Sequence, residues 1–254
     1  MECALGRHGT QFINQGHGGE TSHHTAARIG ALPLSVKVEG GVLPPAGAIR
    51  LQSNPLDQGS SSLKPFAGVV AGVEATVRGT DSGVWMARRA PGAPVPVDND
   101  PFIPSAGTAL RAHDSLLWTG KNDLTHGATA DEVVLRVRRT VEWLRGGGTR
   151  VALIGLFTSN DADSAVRERV LAINAALDHA FGEHYIDVQQ FLTSEELSLA
   201  TGLPFTDEDL ADIAAGSKPM SLSTDASHLD QVGNHAVAAR ITLRLSELGW
   251  FGAD

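Results

Sequence analysis

The stretch Val151-Ala152-Leu153-Ile154-Gly155-Leu156-Phe157 is apolar at every position except its one glycine. A strand with one face in water alternates apolar with polar residues. A run without that alternation marks a strand covered by helices on both faces, as in a parallel sheet. The flanking sequence agrees. Upstream, Thr129 stands where it would cap a helix running to Arg145. Val133, Val134, Val137, Val141 and Leu144 share one face of that helix, and Gly146–Gly148 stops it. Before the helix, Ser115–Trp118 reads as a buried strand ended by Gly120. Downstream, Val166, Val170, Ile173, Leu177 and Phe181 mark another amphipathic helix, and Tyr185–Val188 the next strand. A last helix, from about Val232 to Leu248, carries Val237, Ile241 and Leu245. Towards the N-terminus, the run Gln11–Asn14 ends at Gly16 and a helix follows from about Thr21 to Ile29. Alternating strands and helices predict an α/β fold with a doubly wound sheet.

One part of the chain breaks this pattern. Ten of the 12 prolines lie between Ala31 and Pro104, among many Gly and Ser residues. Short strand-like runs occur there at Ser35–Val38, Ala48–Leu51, Val69–Val77 and Val84–Ala87, divided by turn residues, with no helical period. Residues 34–104 are therefore expected to be a β-rich insertion, and 1–33 with 105–254 the α/β domain.

Bulk properties exclude some classes of function. The formal charge of −9 argues against a nucleic-acid surface, which needs clustered Lys and Arg. The longest apolar runs, Phe66–Val73 and Val151–Phe157, are too short to cross a bilayer. The single cysteine, Cys3, leaves neither an intrachain disulfide nor a Cys-based metal site. Met1–Thr10 has no apolar segment of the signal-peptide kind.

Three motifs stand where strands of such a sheet would end. Asn14-Gln15-Gly16-His17-Gly18-Gly19-Glu20-Thr21 is a glycine-rich turn opening a helix, able to bring backbone N–H donors close to a ligand. Gly120-Lys121-Asn122-Asp123 follows the strand ending at Trp118; an Asn amide there can donate to a developing oxyanion. Asp225-Ala226-Ser227-His228 precedes the last helix. An Asp that accepts from His Nδ1–H fixes the tautomer and leaves Nε2 as a general base. Each motif alone also has an ordinary structural use, and Asp123-Leu124-Thr125-His126 repeats the Asp–His spacing. His17, His23 and His24 lack further ligands at metal spacing and read as loop histidines. Trp85 and Trp118 read as core, and Glu195–Glu196 and Asp207–Asp212 as solvated helix faces.

In this order the three motifs resemble those of the SGNH/GDSL hydrolase family, over Gln11–Gly30 and from Leu110 to the C-terminus. The resemblance implies a mostly parallel, flavodoxin-like sheet and a serine-type ester hydrolase without a cofactor or metal. The substrate would be a small acyl ester, such as an acetyl ester of a sugar or other alcohol. By the same resemblance Gly19 and Asn122 match the oxyanion hole, and Asp225 and His228 the acid and base of the triad. One block has no match. The family's Gly-Asp-Ser, at the end of a first strand, normally precedes the glycine turn by a helix's length. Only ten residues precede Gln11, and Glu2–Arg7 reads as the tail of that helix. Thr80-Asp81-Ser82-Gly83 lies in the β-rich segment, His113-Asp114-Ser115 precedes a strand, and Ser22 reads as a first-turn helix residue. No nucleophile is assigned. The expectation is a chain with little esterase activity and a gap beside Gln11–Asn14 through which it self-associates. Two other readings fit the same residues: a non-catalytic glycan- or partner-binding module on this framework, and an incomplete product that folds poorly.

Overall fold

A computed structural model describes residues 11–52 and 56–251. The Glu2–Arg7 helix tail falls outside the described residues. Six strands lie between Leu34 and Pro104: β1 (Leu34–Leu43), β2 (Ala48–Arg50), β3 (Phe66–Val70), β4 (Val73–Thr80), β5 (Gly83–Arg88) and β6 (Val95–Pro104). β1 shows why they form a sheet with one dry face. Leu34, Val36 and Val38 are buried while Ser35, Lys37 and Glu39 are exposed, the period of two that a half-buried strand requires. All pairings are antiparallel, in the order β1-β6-β3-β4-β5-β2. The two ends of this order meet through a bridge between Val38 and Leu51, beside which Gln52 N–H donates to Lys37 O at 2.7 Å. The sheet is thus a nearly closed barrel. Closure requires β1 to bend, and its register against β6 shifts between Lys37 and Val42. Gly40 and Gly41, with φ of +73° and +72°, occupy that irregularity.

The second sheet is small. β7 (Ser115–Leu117), β8 (Val151–Ile154) and β9 (Tyr185–Ile186) are parallel and lie in that order. Helices cover both faces. Val151 and Leu153 share a buried cluster with residues of α4 (Ala130–Arg145) and α5 (Ser164–Phe181). Ala152 and Ile154 share another with α6 (Val188–Leu192), α7 (Glu195–Thr201) and α9 (Gln231–Glu247). The remaining helices are α1 (Ser22–Ile29), α2 (Ser105–Leu110), α3 (Lys121–Thr125) and α8 (Asp207–Ala214). Ala27 of α1 is fully buried and belongs to the barrel's core, so the barrel is docked on the helical layer rather than standing free of it.

This architecture corrects the expected fold class. The molecule is not built on a mostly parallel flavodoxin-like sheet; its dominant sheet is the antiparallel barrel, and the parallel strands have only 3, 4 and 2 residues. Two local causes limit the parallel sheet. Gln11–Asn14, expected as a strand, has no regular structure, and Asn14 Oδ1 accepts from Gly16 N–H at 2.9 Å. Such a side-chain bond to nearby backbone competes with a strand ladder. The strand expected over Tyr185–Val188 stops at Ile186, because Asp187 accepts from Gln190 N–H at 2.8 Å and caps α6. Asp209 also departs from expectation: it is buried, accepting from Thr206 and from Ser221 N–H. Among the described residues no helix is long and apolar enough to cross a membrane.

Candidate active site

The segments just past the carboxyl ends of β7 and β8 are tied to the two other motif loops. Leaving β7, the chain passes Trp118 and Thr119 to Gly120, whose φ of +113° turns it into the short helix α3. Two successive residues of α3 then reach in different directions. Asn122 Nδ2 donates to Glu20 O at 3.0 Å, and Lys121 Nζ donates to Ser227 O at 2.9 Å. The glycine turn, the Asn122 loop and the Asp225–His228 loop are thereby joined through residues of α3. The Asn122 amide carries two N–H groups, and the bond to Glu20 occupies one.

Gly19 has a φ of +83°, and a Cβ placed on it would lie 3.1 Å from Ser62 Oγ. Both the left-handed backbone and this close approach call for glycine. Ser62 ends a short 3-10 turn, Ser60–Ser62, that the barrel sends against the glycine turn. The fixation continues around it. Glu20 and Arg28 form a buried ion pair at 3.0 Å, and Glu20 Oε1 accepts from Lys64 N–H at 3.2 Å. His24 Nδ1 accepts from Thr21 N–H while its Nε2 faces Leu56 O at 3.2 Å, so Nε2 carries the proton and donates. Gln58 Nε2 donates to His126 O.

Asp225 and His228 are hydrogen-bonded to each other. His228 Nδ1 lies 2.9 Å from both carboxylate oxygens, leaving Nε2 as the ring nitrogen able to take a proton. The hydrogen bond from His228 is the largest cause holding the Asp225 carboxyl below the usual carboxylate range, and the Ser227 N–H contributes next. Both side chains are exposed, His228 by 75%. Among the described residues no serine hydroxyl hydrogen-bonds to His228.

The other sequence candidates have different duties. Ser22 is buried at the start of α1, its Oγ donating to Asp123 Oδ1 at 2.6 Å and its N–H to Oδ2 at 2.6 Å. Arg136 completes the surroundings of Asp123 at 3.0 Å. Asp123 thus accepts the first N–H of α1, whose N-cap is Thr21, and the second Asp–His spacing has no catalytic pairing among the described residues; His126 instead packs against Gly59. Asp81-Ser82 forms the β4–β5 turn. Trp118, expected as core, is 36% exposed and stands edge-to-face with Phe157, ring centroids 6.1 Å apart. Among the described residues no group of three or more His, Cys, Asp or Glu side chains is arranged to hold a metal ion.

Sequence reasoning passed over Lys121, Asn160 and Lys218. Lys121 sat inside a quoted motif, but its role depends on where Ser227 folds back to it. Lys218, between Ser217 and Pro219, carries no local signal. It is fully buried, its ammonium donating to Asn160 Oδ1, Ser223 Oγ and Asp225 O at 3.0, 2.7 and 2.9 Å. Compared with protein-family models and with curated proteins, the sequence finds no match.

Proposed function

We propose that the site is that of an SGNH/GDSL-like serine ester hydrolase acting on a small acyl ester, such as an acetyl ester of a sugar or other alcohol. The observation that carries the reading is the pair of bonds from α3, Asn122 to Glu20 O and Lys121 to Ser227 O. They tie α3 to the glycine turn on one side and to the loop of the Asp–His pair on the other, which supports the reading. Sites of α/β sheets lie outside the carboxyl ends of their strands. In this mechanism His228 Nε2 takes the proton of a serine hydroxyl as its oxygen attacks the ester carbonyl, and Asp225 stabilises the imidazolium. The free Asn122 N–H and the Gly19 backbone N–H receive the oxyanion. The proton returns to the leaving alcohol, and His228 then activates water to release the acid.

A second reading is favoured by one observation: no described serine hydroxyl bonds His228. On that reading the chain binds a glycan or partner without turning it over. Activated acetyl esters separate the two when the chain is assayed alone and with an added N-terminal strand ending in Gly-Asp-Ser. The hydrolase reading expects turnover in the extended protein, labelling of one serine by a phosphonate, and a loss of roughly 10³-fold or more in His228→Gln. Turnover indifferent to His228, or an extended protein that binds acylated sugar without cleaving it, overturns that reading.

A further inference from the structure

Four consecutive carbonyls of the Asp225–His228 loop are hydrogen-bonded, and two of the donors are lysine ammoniums. Asp225 O receives Lys218 Nζ at 2.9 Å, Ala226 O receives Asn160 N–H at 3.0 Å, and Ser227 O receives Lys121 Nζ at 2.9 Å. His228 O receives Thr224 N–H at 3.1 Å. We infer that Lys218 and Lys121 are positioning residues: through the Asp225 and Ser227 carbonyls they clamp this loop so that the Asp225 carboxylate meets His228 Nδ1 and not another donor. The inference takes its functional meaning from the hydrolase reading above.

The geometry leaves little else for these lysines to do. A buried ammonium is costly unless all its donors are used. Lys218 uses all three, each on the Asp225 loop or on groups bracing it, and Asn160 returns Nδ2–H to Lys218 O at 2.8 Å. The Lys121 ammonium also lies 3.5 Å from the Phe157 ring centroid, which fixes the direction of its remaining bond. Asp225 itself contributes only short-range bonds, accepting from Ser227 N–H and His228 N–H at 2.8 and 2.9 Å. Its side chain and that of His228 are exposed, so neighbouring core does not pack them into place. In water a free Asp–His turn would sample several geometries, and the carbonyl clamps remove that freedom. The charges have a second consequence. Lys121 faces Lys218, Asp161 and Asp225, and burial first, then Lys218, holds its ammonium down to about 8. Lys218 faces Asp225, Asp212 and Asp161, and burial lowers it as well. Both cations favour the ionised Asp225 that accepts from Nδ1.

The test reads the tautomer of His228 and requires no substrate. The chain is labelled with ring-¹⁵N histidine, the His228 signal is assigned with His228→Gln, and spectra are recorded at about pH 7.3, where an ordinary imidazole is mostly neutral and the Lys121 ammonium is still mostly charged. The wild-type ring is expected to carry its proton on Nδ1. In Lys218→Met and Lys121→Gln the Nδ1–H population should fall at least about twofold. Exchange of the Ser227 and His228 amides should quicken about tenfold or more, while α9 amides keep their protection. Lys121→Arg should retain most of the wild-type tautomer. If Lys218→Met does not fold, Lys121→Gln decides by itself. An unchanged tautomer and unchanged exchange at residues 227 and 228 in folded variants would overturn the clamp, as would a wild-type ring protonated on Nε2. A lysine-dependent tautomer in a protein that hydrolyses no ester even with the Gly-Asp-Ser strand added would leave the clamp standing and remove the hydrolase reading. Hydrolysis with a lysine-independent tautomer would do the reverse.

Discussion

At the scale of single residues, the same amino acid serves opposite ends according to its surroundings. Asp225 and Asp123 each stand three residues before a histidine. One is exposed and holds an imidazole; the other is buried and holds the start of a helix. Spacing alone could not separate them, because the difference lies in Ser22 and Arg136, which are distant from Asp123 in sequence. The histidines divide in the same way. His228 is open to solvent, whereas burial first, and then Arg136, lowers the His23 imidazole to about 4, and its Nε2 has no hydrogen-bond partner among the described residues. A depressed histidine supports the fold while neutral. Its contribution is complete above the ordinary value of 6.5 and is lost as pH falls through about 4. Compared with His23→Gln, the wild type should therefore lose unfolding free energy between pH 6.5 and 4, as read by urea titrations across that range. Parallel pH profiles for the two proteins would show that His23 does not carry this effect.

At the scale of elements, helix boundaries follow side-chain caps, of which Thr129 was read from the sequence. Thr129 caps α4 with Glu132, Asp163 caps α5 and Asp230 caps α9. Strand boundaries were harder to read, because Asp187 and Asn14 use their side chains to end or prevent pairing. Helix α1 joins the two sheets. Its start is held by Asp123 on the parallel side, Ala27 lies in the barrel core, and Arg28 pairs with Glu20, which also receives Lys64 of the barrel. Glu20→Ala would leave the Arg28 charge buried without its partner, at a cost of about 3–5 kcal/mol. Replacing both partners together, as Glu20→Leu with Arg28→Met, should recover most of that loss. Chemical denaturation of the two proteins measures the difference. A Glu20→Ala loss below about 1 kcal/mol would mean that water already screens the pair.

At the scale of the whole molecule, the outer edge of β7 matters most, since among the described residues β7 pairs only with β8. An edge of unpaired N–H and C=O groups is a template for another strand. The apparent mass by light scattering should rise with protein concentration. A monomeric mass at every concentration would rule out association through this edge. The chain by itself determined a good deal. The unbroken apolar run at Val151 specified a strand buried on both faces. The helical apolar spacing specified α4, α5 and α9, and the prolines and turn residues specified strands between Leu34 and Pro104. These are properties of short windows, where period and capping chemistry act locally. Only the tertiary structure decided that those strands close into a barrel which outweighs the parallel sheet, since closure rests on a bridge between Val38 and Leu51. Only it brought Lys121 to Ser227 and Lys218 to Asp225, and sent Ser62 against Gly19. Contacts of this kind join residues distant in sequence or without a local motif, and they form only when packing of the cores brings their backbones within hydrogen-bonding distance.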